Sequence, residues 1–166
     1  MGVHEAQGVY REAPIIKTIN DHYVLFYREN GPYEHAAKQA WAGVMRQGYA
    51  MGLISDQSMA IGITYDSPTI TKQQHIRYDA CITIDEADYK TKGVATQLIV
   101  GGRFAIFHHV GEYHKIDELY DYIYGEWLLS SGERLRDQPV FCHYHNLHSS
   151  GVPEQELVTD IYLPLL

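Results

Sequence analysis

The residues with most chemical potential lie in the run HYHNLH, where His143 and His145 alternate along a strand and share one face while His148 follows in a turn. Two imidazoles at that spacing are half of a metal site. With no third or fourth ligand evident, the face reads as a solvated strand surface, and neither a metal nor a cofactor is assigned. Cys142 and Tyr144 alternate with these histidines and point the other way. Nothing local to Cys142 supplies the cationic neighbour or helix N-terminus that would make its thiol reactive, so it reads as a core or pocket-wall residue. Asp79 in RYDAC and Asp160 in TDIY sit within apolar strands, where a carboxylate must be paired or face water. Arg77 is the expected partner of Asp79. Either aspartate reads as a satisfied strand carboxylate or as counter-charge for a cationic ligand, and Glu126 beside Trp127 is ambiguous in the same way. The chain has no glycine-rich phosphate loop, nucleophile elbow or paired-cysteine zinc motif, so no catalytic residue is assigned.

Composition narrows the partners. The chain of 166 residues carries a formal charge of -8 and no basic cluster, so it should repel a phosphate backbone and not bind nucleic acid directly. The same field attracts small cations. No apolar run approaches the length of a membrane span, and the opening MGVHEAQGVYREAP lacks the features of a secretory signal. No membrane contact and a cytoplasmic location are therefore expected, with Cys81 and Cys142 reduced rather than bridged. Tyrosine is abundant, 14 residues against 4 phenylalanines, and supplies aromatic faces with hydrogen-bonding tips. Such rings suit a wet, adaptable pocket, although each also fits a half-buried place on a sheet.

The elements that must position these residues occur twice. The stretch Val24 to Gly52 aligns without a gap on Phe104 to Gly132, so that Gly31 and Tyr33 fall on Gly111 and Tyr113, and both predicted helices stop at a glycine, Gly52 and Gly132. Two strand-like runs follow each helix, Met59 to Tyr65 and His75 to Ile84, then Val140 to Tyr144 and Leu157 to Leu163. Tyr65 is thereby matched to Tyr144 and Asp79 to Asp160. Identity between the halves is low, and the order of elements carries the repeat. The second helix has a stripe of Ile116, Leu119, Tyr120, Ile123 and Trp127; the first presents Ala36, Ala40, Gly43 and Val44 beside Trp41 and Met45. On that first helix, either the backbone approaches the sheet closely or space remains beside the tryptophan. Ile61, Ile63 and Tyr65 should share one inward face. The expected architecture is α+β, two strand-helix-strand-strand modules related by a pseudo-twofold axis, about 15–85 and 94–166, within a single domain spanning 1–166.

Taken in order, V-x-F-Y-R-x-x-G-P-Y, IGITYDSP, RYDACITID, GGRFAIFHHVGEY, GEWLLSSG, PVFCHYHN and TDIYLPL resemble the GyrI-like effector-binding domain of AraC-type regulators, from about Ile15 to Leu165. The resemblance implies an antiparallel sheet with a ligand cleft at the junction of the modules, used for hydrophobic, often cationic small molecules. Because no DNA-binding region precedes the domain here, it also implies a free-standing member. Stand-alone relatives include hydrolases of strained, toxin-like small molecules and protein-binding gyrase inhibitors, which leaves a protein partner or a homodimer open. In the family the strand before the last reads P-x-F-E-x-Y, and here PVFCHY puts Cys142 where the glutamate stands. That replacement counts against hydrolysis and weakens the cation preference. The implied site has Trp41, Tyr65, Trp127 and Tyr144 as stacking surface, Ile63 and Cys142 as floor, and Asp160 or Glu126 as charge.

Overall fold

A computed structural model describes residues 12–66, 70–90, 93–146 and 151–166. Eight strands, β1 (Ile15–Ile19), β2 (His22–Asn30), β3 (Ala60–Thr64), β4 (Arg77–Thr83), β5 (Thr96–Ile99), β6 (Gly102–Val110), β7 (Phe141–Tyr144) and β8 (Val158–Pro164), form one antiparallel sheet. Helix α1 (Tyr33–Ala50) follows β2. After β6 come α2 (Ile116–Tyr122), a π-helical turn at Ile123–Trp127 and a short α3 (Leu128–Ser131). The spatial order β1-β6-β8-β7-β3-β4-β2-β5 reads alike from both ends towards the β7–β3 pair. Each half is thus strand, helix, strand, strand, as the repeat requires, and the two meet at β7 and β3.

The glycines show the repeat at backbone level. Gly31 and Gly111 both have left-handed φ, 132° and 130°, where each leading strand turns into its helical segment, and Gly52 and Gly132, at 66° and 76°, end the helices. Such angles are open to glycine and strained for other residues. Two strands escaped the sequence reading. β1 pairs with β6 and β5 with β2, so each module borrows its edge strand from the segment preceding the other module. The run at His75 also differs from expectation, since Gln73–His75 is a 3-10 turn and the strand starts at Arg77.

Both helices lie on one face of the sheet. Leu25, Ala36, Ala40, Val44, Ala60, Tyr78, Ala80 and Ile82 form the core beneath α1, and Ala105, Phe107, Ile116, Leu119, Ile123, Cys142, Ile161 and Leu163 that beneath α2. Close approach is the outcome on α1: a Cβ built on Gly43 would lie 2.2 Å from the Tyr27 ring. On the opposite face Val24, Ile61, Ile63, Cys81, Ile99, Phe104 and Phe141 cluster together. Ile99 and Phe104 come from strands far apart in the sheet order, so the sheet curls around this face.

Candidate functional site

Where the modules meet, the sheet is floored by Gly62, which pairs with Cys142 across β3 and β7. A Cβ on Gly62 would fall 2.3 Å from the Tyr78 hydroxyl and 2.8 Å from the Tyr144 ring, so the missing side chain makes room for two tyrosines. Trp41 donates its indole N–H to the Tyr78 hydroxyl at 2.9 Å, which lies 3.4 Å from that of Tyr144. The Tyr144 ring meets Trp41 edge-on at 5.8 Å and Tyr113 at 5.4 Å, and Tyr33 meets Tyr78 at 5.4 Å. Tyr144 is therefore touched by side chains of both modules. Tyr33 and Tyr113 are 44% and 46% exposed, so the cluster reaches solvent through its rim.

Burial sets the protonation of this site. Desolvation pushes the Tyr78 and Tyr144 hydroxyls well above the ordinary tyrosine range, leaving them as neutral donors and acceptors. It raises the Cys142 thiol to about 11, against hydrogen bonds from Tyr120 and Tyr144 that pull it down; the Tyr120 hydroxyl lies 3.3 Å from Sγ. At neutral pH Cys142 is a thiol, consistent with a pocket wall and not a nucleophile. Thr159, directly opposite Tyr144 on β8, is fully buried, and its hydroxyl has no hydrogen-bond partner among the described residues.

Of the residues expected to form the site, Trp41, Cys142 and Tyr144 line this helix-facing junction. Trp127 lies on the same face but packs on Phe107, ring centroids 5.1 Å apart. Ile63 and Tyr65 lie on the opposite face of the sheet. Ile63 pairs with Phe141 and Ile61 with His143, so all of them, with Tyr65, face the other way. Since Asp79 lies across from Ile63 and Asp160 across from His143, Tyr65 corresponds to His145 and not to Tyr144. The matched register was off by one residue, which turns a strand's side chains to the opposite face. Asp160 is on that opposite face too, and Glu126 is exposed on the π-helical turn. Asp79 takes Arg28, not Arg77: Arg28 lies directly opposite on β2 and donates from Nε and Nη2 at 2.7 and 2.9 Å. Tyr65 and Gln97 donate to the same carboxylate, while Arg77 turns to Asp66. A hollow on this opposite face, lined by Ile63, Tyr65, Phe104 and Phe141, holds about 80 Å³, too small for a drug-sized molecule.

The sequence reading missed Tyr78, Tyr120 and Thr159. Alternation with Cys142 and Tyr144 was the available signal for face, but only the pairing of β4 and β8 against β3 and β7 brings Tyr78 and Thr159 to the junction, and Tyr120 reaches it from α2 through its contact with Cys142.

A sequence model of the GyrI-like small-molecule-binding domain matches residues 12–166. The chain belongs to the GyrI-like family. Over 111 residues it is 39% identical to "Probable transcriptional regulator YgiV" of Escherichia coli K12, covering 66% of this chain and 69% of that protein. Among solved structures, EcmrR in a DNA complex superposes with a TM-score of 0.78 at 16% identity, covering 98% of this chain, which spans 60% of the EcmrR chain. SAV2435 bound to tetraphenylphosphonium superposes with a TM-score of 0.60 at 14% identity, over 93% of this chain and 94% of that one. These similarities establish the GyrI-like fold, and none of the described helices is long and apolar enough to cross a membrane.

Proposed function

We propose that this GyrI-like chain binds hydrophobic aromatic cations at the junction over Gly62, as an effector sensor or a sequestering protein. The observation that carries the reading is the cluster around Tyr144, where rings from both modules converge over Gly62, whose lack of a side chain admits Tyr78 and Tyr144. Aromatic faces attract cations through their quadrupoles, and the tyrosine oxygens, kept neutral by burial, add dipoles without needing a carboxylate. The Thr159 hydroxyl, opposite Tyr144 and without a hydrogen-bond partner among the described residues, offers a further polar anchor. A chain of net charge -8 raises the local concentration of such ligands. SAV2435, which shares the fold, is bound to tetraphenylphosphonium, a ligand of this chemistry. Binding is favoured over hydrolysis because Cys142, with its thiol raised to about 11, is neither base nor nucleophile at neutral pH.

The test is a titration of tetraphenylphosphonium, a rhodamine-like cation, a neutral isostere and an anionic dye. Saturable binding of the cations at roughly micromolar strength, about -8 kcal/mol, is expected. Trp41→Phe should remove most of the accompanying fluorescence quench, and Trp127→Phe less, because Trp41 touches Tyr144 whereas Trp127 rests on Phe107. Absence of saturable binding at about 100 μM, or binding of anions alone, would contradict the reading.

A further inference from the structure

The face opposite the helices holds a second arrangement with its own chemistry. In the first module Asp79 is fully buried and saturated by Arg28, Tyr65 and Gln97. The strand registers put different residues at the equivalent places of the second module: Asp160 for Asp79, His108 for Arg28, His143 for Ile63 and His145 for Tyr65. The permanent cation of one half is replaced in the other by three imidazoles around a carboxylate.

We propose that His143, His145 and Asp160 bind one divalent metal ion of the zinc class, with His108 orienting the carboxylate. One ligand atom from each of the three residues lies within 4.8 Å of the others. Bond lengths of about 2.0 to 2.2 Å place tetrahedral zinc ligands roughly 3.3 Å apart, which small side-chain rotations reach from here. His145 Nε2 and His108 Nδ1 each lie 2.7 Å from a different oxygen of Asp160, so one oxygen is shared with His145 while His108 fixes the other. This is the outer support that metal-binding carboxylates commonly have. His143 is the telling residue. Its ring is half-buried, stands 4.0 Å from that of His145, and makes no hydrogen bond among the described residues. Two imidazoles and a carboxylate suit zinc, copper or nickel better than calcium or magnesium. His145 is 38% exposed, which leaves room for water to complete the coordination. The sequence shows only the two histidines; the third ligand is Asp160 on β8, facing His143 across the ladder, while His148 lies outside the described residues.

Chelator-treated protein titrated calorimetrically with Zn²⁺, and separately with Co²⁺ followed by visible absorption, tests the site. One ion per chain is expected for both metals, with intense cobalt bands of low coordination number. His143→Ala and Asp160→Asn should each weaken binding about tenfold or more. Should either fail to fold, the exposed His145→Gln decides with the same expectation, and its affinity for tetraphenylphosphonium should match the parent's. His35→Ala, at an exposed histidine elsewhere, should bind metal like the parent. No saturable uptake at about 100 μM metal, equal affinity in parent and His145→Gln, or an equal loss in His35→Ala would each overturn the proposal.

Discussion

At Cys142 a buried sulfur, 3.3 Å from the Tyr120 hydroxyl, occupies the wall of the aromatic junction. Cys142→Glu should therefore tighten a cationic dye and leave its neutral isostere unchanged or weaker. A carboxylate about 4 Å from a cation gains roughly 4 kcal/mol at an effective dielectric near 20, and desolvation of both ions leaves about 1 to 2, or five- to thirtyfold. Paired calorimetric titrations check this, and equal changes for both dyes would place Cys142 outside the site. Thr159→Val removes a buried hydroxyl without a partner while keeping its shape, so it should stabilise the empty protein by on the order of 1 kcal/mol, read as a higher urea midpoint. At His143 the sign is the reverse of a salt bridge. Its folded pKa of about 4 lies below the ordinary 6.5, so the unfolded chain takes up the proton first. Without added metal, stability should fall as pH drops from about 6.5 towards 4, with His145, Asp160 and His22 as the charges that bear on it. His143→Gln should flatten that part of a stability-against-pH curve.

Among the elements, α1 and β3 set the geometry through what they lack. Gly43 lets α1 rest on Tyr27, and Gly43→Ala, with its Cβ 2.2 Å from that ring, should cost about 1 to 3 kcal/mol in denaturant unfolding. Gly62→Ala, which drives a methyl into Tyr78 and Tyr144, should weaken dye binding more than it lowers stability. Both helices, their glycine stops and the six strands of the two modules were legible, because periodicity and left-handed glycines are local signals. The edge strands β1 and β5 were not, since their pairing joins one module to the other. The same limit applies at the junction over Gly62. Alternation and resemblance put Trp41, Cys142 and Tyr144 on one face, as they are, whereas Ile63 and Tyr65 were grouped with them although they face the other way, because register is set across strands and a slip of one residue changes the face. Thr159 and Asp160 are neighbours on β8 that serve opposite faces, which no spacing rule reveals without the ladder partners Tyr144 and His143.

For the molecule as a whole, the curled sheet separates an aromatic junction under the helices from a histidine-carboxylate cluster behind them. The net charge of -8 predicts no stoichiometric, sequence-dependent retardation of duplex DNA at about 0.15 M salt by this chain alone. The position of a bound cationic ligand distinguishes the two faces of the sheet. A crystal structure of the complex with tetraphenylphosphonium measures that directly: the phosphonium is predicted over Gly62, with phenyl rings against Trp41 and Tyr144 and the Tyr33 and Tyr113 rim displaced outward. A ligand found instead on the face of Ile63, Tyr65 and Asp160, with the Tyr144 cluster unchanged, would contradict it.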